Sequence, residues 1–159
     1  MRKNIVTFAL MAFIINGISH ADESVFLDNA LKNAAISLSG RIREGTMVVV
    51  FGFNSPTKEL SEYIMNGIID HLIRENGMKV VERQNPELIR QEMEIQYSGD
   101  VSDEYIQSIG QQFGGETIIT GSLVNQGETY LMRLRMIHVQ TAQIISTYID
   151  NIRIDTKLV

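Results

Sequence analysis

The chain of 159 residues contains no cysteine. That excludes disulfides, a thiol nucleophile and thiolate metal ligands, and it leaves no side chain for a cysteine-linked lipid. The fold must therefore be held by its core, and 159 residues suffice for one domain with a sizeable core. Proline occurs only at Pro56 and Pro86, so little of the chain is barred from regular structure. Histidine is scarce: His20, His71 and His138 are the only three, with no second histidine four residues from any of them. A metal site built on paired histidines is excluded. There is no run of basic residues, and the formal net charge is −5. Phosphate neutralisation supplies most nucleic-acid affinity, so nucleic acid is not an expected partner, nor is an anionic membrane surface.

What is present begins with an export signal. Arg2 and Lys3 precede an almost unbroken apolar run from Ile5 to Ile15, and Ser19-His20-Ala21 places small residues at −3 and −1 of a cleavage site. The apolar run is shorter than the roughly 20 residues a membrane-crossing helix needs. Cleavage after Ala21 is the expectation; a buried N-terminal helix or an uncleaved anchor is the competing reading. Loss of residues 1–21 removes two positive charges and no negative one, taking −5 to −7. No later segment approaches transmembrane length, so no span is expected after signal removal.

Beyond the leader, residues 22–45 read as an N-terminal helix and its connection, and residues 46–159 as an α/β domain. From Ser24 to Leu38 the apolar residues Leu27, Ala30, Leu31, Ala34, Ala35 and Leu38 share one helical face with Val25. Thr46–Phe53 is a continuous apolar run, as in a strand buried on both faces of a parallel sheet. Ser55-Pro56 suits a helix start with Ser as cap, and Leu60, Ile64, Ile68 and Leu72 recur at i+4 up to Asn76-Gly77. Met78–Glu82 reads as a second strand, and Asn85-Pro86 opens a short helix to about Ile95. After the Ser98-Gly99-Asp100 turn, Ser102 caps a helix that ends at Gly114-Gly115, with Asp103 and Glu104 suited to its positive end. Thr117–Val124 is the third strand. Past the turn at Asn125–Glu128, the residues Tyr130, Met132, Leu134, Met136 and His138 alternate with Arg133 and Arg135. Gln140–Gln143 turns the chain into a last strand, Ile144–Ile154. The expected fold is α/β, in the order α-β-α-β-α-α-β-β-β. It is a mixed sheet of about five strands: parallel strand–helix–strand units, then an antiparallel meander, with helices packed on it.

This order of elements resembles the family of the curli secretion channel and the lipoprotein activator of penicillin-binding proteins (CsgG/LpoB-like). The residues that carry it are the apolar strand Val48-Val49-Val50-Phe51, or Phe53, then Val81-Glu82-Arg83, Leu88 with Arg90-Gln91-Glu92, the Gly99-Asp100 turn, Gly114-Gly115, and Ile119-Thr120-Gly121. It covers roughly Thr46 to Ile154. It implies an α/β domain in the periplasm of a diderm bacterium, associated with the outer membrane through a partner and acting by protein contact. The expected partner is an envelope protein, either a cell-wall synthase or a secretion assembly. Two departures stand out. The chain lacks the tethering cysteine of many members, and it lacks insertions long enough for membrane-spanning hairpins.

No nucleophile–base–orienter set can be assembled from these residues, so the expectation is a binding protein without catalytic residues, cofactor or metal. Asn54, Ser55, Arg83 and Gln84 fall near the C-terminal ends of parallel strands, where open α/β sheets form crevices. A small-ligand or sensory domain using that crevice is the alternative function. Tyr97 and the Arg133/Arg135 stripe complete the candidate surface, because Tyr and Arg are favoured contact anchors. The bland reading of Arg83 is a loop brace, and that of the stripe a solvated sheet face.

Overall fold

A computed structural model describes residues 25–82 and 102–153. Residues 1–24, 83–101 and 154–159 lie outside the described residues, and with them the expected export signal, the expected helix from Asn85-Pro86 and the Ser98-Gly99-Asp100 turn.

The apolar run around Val48–Val50 forms the strand β2, Met47–Asn54. It is preceded by a two-residue strand β1, Val25–Phe26, and a helix α1, Leu27–Ser39. It is followed by helix α2, Lys58–Asn76, and a two-residue strand β3, Lys79–Val80. After the undescribed stretch come helix α3, Asp103–Gln112, and strands β4, Thr117–Asn125, β5, Tyr130–His138, and β6, Ile144–Arg153. The sheet order is β1-β6-β5-β4-β2-β3. β2 lies parallel to β3 and β4, while β4, β5 and β6 are antiparallel. The expected mixed sheet with a terminal meander is thus observed.

Three local readings are corrected. The helix does not begin at Ser24. Val25 and Phe26 are extended and pair in parallel with Ile152 and Arg153 of β6. Phe26 supplies no side-chain cap at the helix start, so the backbone there is satisfied by the sheet edge rather than by a helical turn. Second, Thr57 caps α2, accepting from the Leu60 N–H at 3.2 Å. The Ser55 hydroxyl instead donates to the Thr57 carbonyl at 2.7 Å and lies 2.8 Å from the Ser61 hydroxyl. Third, the second strand is shorter than Met78–Glu82, although the Val81 N–H still reaches the Val48 carbonyl at 3.0 Å.

Helices α1 and α2 cover one face of the sheet. Their apolar stripes, Ala30, Leu31, Ala34 and Leu38 with Leu60, Ile64, Ile68 and Leu72, pack on Val48, Val50, Phe53, Ile119, Met132, Leu134, Met136 and Ile152. The opposite face carries a smaller core. There Ile106 and Ile109 of α3 pack on Val49, Phe51, Ile118, Ile137 and Val139. Ser102 caps α3 as expected, accepting from the Tyr105 N–H at 3.2 Å. β2 reaches both cores because its side chains alternate, Val48 and Val50 to the large core and Val49 and Phe51 to the small one, and that alternation slips once. Against β4, Val50 pairs with Ile119 but Phe53 with Gly121, which leaves one extra residue on β2 at Gly52, with φ +66. Phe51 faces α3 in step with Val49, and the bulge turns Phe53, which unbroken alternation would place on that same side, towards α1 and α2. The Thr120 hydroxyl holds it, donating to the Gly52 carbonyl at 3.0 Å.

Candidate interaction surface

On the α3 side the sheet is only partly covered by apolar packing. β5 presents Met132, Leu134 and Met136 to the large core, so by strand alternation Arg133 and Arg135 point the other way. Strand register fixes their neighbours. Arg135 lies between Thr120 of β4 and Thr147 of β6, and Arg133 lies between Ser122 and Ile149. Ser122 is in turn aligned with Asn54 of β2. Asn54, Ser122, Arg133 and Ile149 thus form one row across four strands.

The face hollows into a groove of about 410 Å³ between α3 and the meander, lined by Ile106, Thr120, Ser122, Arg133, Arg135, Thr147 and Ile149 among others. Arg133 is exposed and Arg135 half-buried; Ile149 keeps 63 % of its surface exposed. Two guanidinium groups, the hydroxyls of Ser122 and Thr147 and two aliphatic side chains make a surface suited to contact, with the exposed Arg133 as a donor for carboxylates or carbonyls beside apolar Ile106 and Ile149.

Of the residues expected to form the surface, the structure brings Asn54, Arg133 and Arg135 towards one face. Ser55 is half-buried, and its hydroxyl is committed to the first turn of α2. Arg83, Gln84 and Tyr97 lie outside the described residues. The residues that sequence reading missed are Thr120, Ser122, Thr147 and Ile149. Their signal was the alternation within β4 and β6, but their neighbourhood with Arg133 depends on register.

The titratable groups are dispersed over other parts of the molecule. His71 Nδ1 sits 3.1 Å from Glu75 Oε1, which also lies 3.5 Å from Lys32 Nζ, in a surface pair between α1 and α2. His138 is half-buried at the end of β5, with Nδ1 3.2 Å from the Thr141 hydroxyl in the turn that follows. The Tyr63 hydroxyl donates to Asp28 at 2.6 Å, and that bond, with lesser contributions from burial and the Asp28 charge, raises its pKa. Tyr148 is raised much further, by burial first and then by its 2.7 Å hydrogen bond to Asp150 and that group's charge, against a smaller opposing effect of Asn33. Among the described residues no three His, Asp or Glu side chains gather to hold a metal ion. No described helix is long and apolar enough to cross a membrane.

Solved structures with this fold include the LpoB C-terminal domain of Salmonella enterica, with a TM-score of 0.63 at 12 % identity over 80 % of this chain and 98 % of that one. The corresponding Escherichia coli domain gives 0.60 at 13 % identity over 79 % and 97 %. The solution structure of E. coli LpoB gives 0.61 at 13 % over 95 % and 82 %. At such identities the likeness is one of fold. It supports the activator half of the resemblance read in the sequence and lends nothing to the curli-channel half. No curated protein matches the sequence significantly. A family model described as FlgO protein matches residues 32–157.

Proposed function

The chain belongs to the FlgO protein family, and from that premise we propose that it is an exported, non-enzymatic envelope protein that binds and regulates, or helps assemble, a protein partner in the periplasm. The observation that carries this reading is the row Asn54–Ser122–Arg133–Ile149 with the neighbouring Thr120–Arg135–Thr147. It is a sheet face bearing polar anchors over an apolar groove, remote from any assembly of catalytic groups among the described residues. The fold shared with LpoB C-terminal domains supports it. A cell-wall synthase is the first client to test, a secretion assembly the second.

The test is affinity capture with cross-linking from envelope extract, comparing the unaltered chain with Arg133→Glu and Arg135→Glu. The expected result is one dominant protein whose recovery falls in both variants while their folds stay intact. His71→Ala, His138→Ala and Glu82→Gln should capture it unchanged. Contact energy concentrates in a few anchors, so the two arginine variants should differ in degree. A co-purified small molecule, with no protein, would favour the crevice-binding alternative. A folded histidine or Glu82 variant that abolished a measurable turnover would overturn the binding role.

A further inference from the structure

β6 has a long flank that no described strand covers. It runs from Ile144 to Arg153, and on the side away from β5 it meets only β1, at Ile152 and Arg153. Along Ile144–Asn151, among the described residues, no strand pairs with that side. Outward-facing backbone N–H and C=O groups on such a flank are a template for another strand.

The edge carries one irregularity, an extra residue at Ile145 against β5, and beyond that bulge the other sequence devices that protect an edge are missing. Ile144–Asn151 holds no proline and no lysine, and its single charge is Asp150, whose carboxylate already accepts the Tyr148 hydroxyl at 2.7 Å. Four of its residues, Ile144, Ile145, Thr147 and Ile149, are β-branched, the type that favours extended pairing. Ile144 and Ile149 remain 49 % and 63 % exposed, and Phe26, on the short strand that closes one end of the flank, 60 %.

From this edge we infer that a second copy of the chain docks on β6, strand against strand and antiparallel about a twofold axis. The sheet then runs continuously through two molecules. A twofold contact requires only that the edge complement itself, and this edge does. With the axis near Thr147, Asp150 of one copy lies opposite the irregular Ile144–Ile145 step of the other, so the only charge of the strand does not meet its like. The chain as a whole is acidic, with a net charge of −5, and a strand with a single charge is where two such molecules approach with little repulsion. β1 bounds the paired stretch in each copy, which fixes its length. A contact of one strand pair with flanking isoleucines is small, so the dimer is weak and concentration-dependent. This pairing does not depend on the partner role proposed above.

The absence of cysteine makes the test clean. Purified chain is followed by sedimentation equilibrium, alone and as Ile149→Lys, a change at an exposed position that adds the charge natural edges use for protection. The expected result is a monomer–dimer equilibrium that Ile149→Lys weakens by at least roughly tenfold. In parallel, Thr147→Cys is oxidised. Opposed residues of an antiparallel pair stand about 4.5–5.5 Å apart at Cα, within disulfide range, so it should give a covalent dimer. Lys58→Cys, on the exposed first turn of α2, should not. A chain that stays monomeric at all attainable concentrations overturns the inference, including the case in which the edge serves a strand of another protein. So does a dimer indifferent to Ile149→Lys, or one that cross-links as readily through Lys58→Cys. Were Ile149→Lys to fail to fold, the two cysteine variants would still decide.

Discussion

Gly121 shows how a single position can carry a motif. It closes Ile119-Thr120-Gly121, and a Cβ built on it would collide with the Arg133 carbonyl oxygen of β5 and lie 3.1 Å from the Phe53 ring. The backbone has nowhere to retreat, because Gly121 is paired on both sides, with Phe53 and Leu134. Gly121→Ala should cost about 1–3 kcal/mol, the range of overpacking in a tight core, read as a lower urea midpoint. Tyr148 sets a pH dependence. Its folded phenol, raised mainly by burial, keeps its proton where the unfolded chain releases it, above about pH 10. The stability it contributes is present below that pH and falls as pH rises past it. Tyr63, raised by its bond to Asp28, acts in the same direction. Urea titrations between about pH 9 and pH 11 should show stability declining, with a shallower decline in Tyr148→Phe.

Single elements were legible wherever one period held for long enough. The i+4 stripe of α2 and the alternation of β5 both appear as read, down to the face each buries. β1 was not legible, because two residues carry no period and their partner strand is the last in the chain. Thr57 outranks Ser55 as a cap for a reason that composition hides. The extended Thr57, two residues beyond Ser55, starts the helix at Lys58, and either residue type could have served. The candidate surface was half legible. Arg133 and Arg135 follow from alternation, but their alignment with Asn54 and Ser122 depends on the bulge at Gly52, and one extra residue leaves no mark in a run of apolar letters. Two substitutions test the elements themselves. Ser102→Ala removes the acceptor for the Tyr105 N–H and should cost about 1 kcal/mol, measured by thermal melting. Val49→Asp places a carboxylate in the core beneath α3, where Val49 is fully buried. It should cost more than roughly 4 kcal/mol and leave no cooperative transition.

For the whole molecule, composition set the main bounds: one cysteine-free acidic chain, held by its two cores, with the order of helices and strands read almost as observed. What composition could not set was the asymmetry of the sheet. Both faces are packed at β2 and β4, while the α3-side face of β5 and β6 keeps Arg133 and Ile149 exposed. That difference arises from where α3 lands, which is a property of connection and register rather than of residue type. Export is proposed from residues 1–21 alone. The mass of the secreted protein should correspond to a chain beginning at Asp22, and a product retaining residues 1–21 would show that the signal is not processed there.

The first strand of this sheet lies beside the last. Val25 and Phe26 have no pairing partner until Ile152 and Arg153 exist, and α1 also rests on β6. Synthesis runs the other way, delivering α1 early and β6 at the end. A nascent chain therefore cannot pair its first strand, or complete the floor beneath α1, until nearly all of it has been made. Contacts of such large sequence separation slow folding. They also leave β1 without its pairing partner for as long as the final strand is missing. A chain broken off before Ile144 would hold α1 with part of its floor absent, a species recognisable to quality-control proteases by the apolar face it exposes.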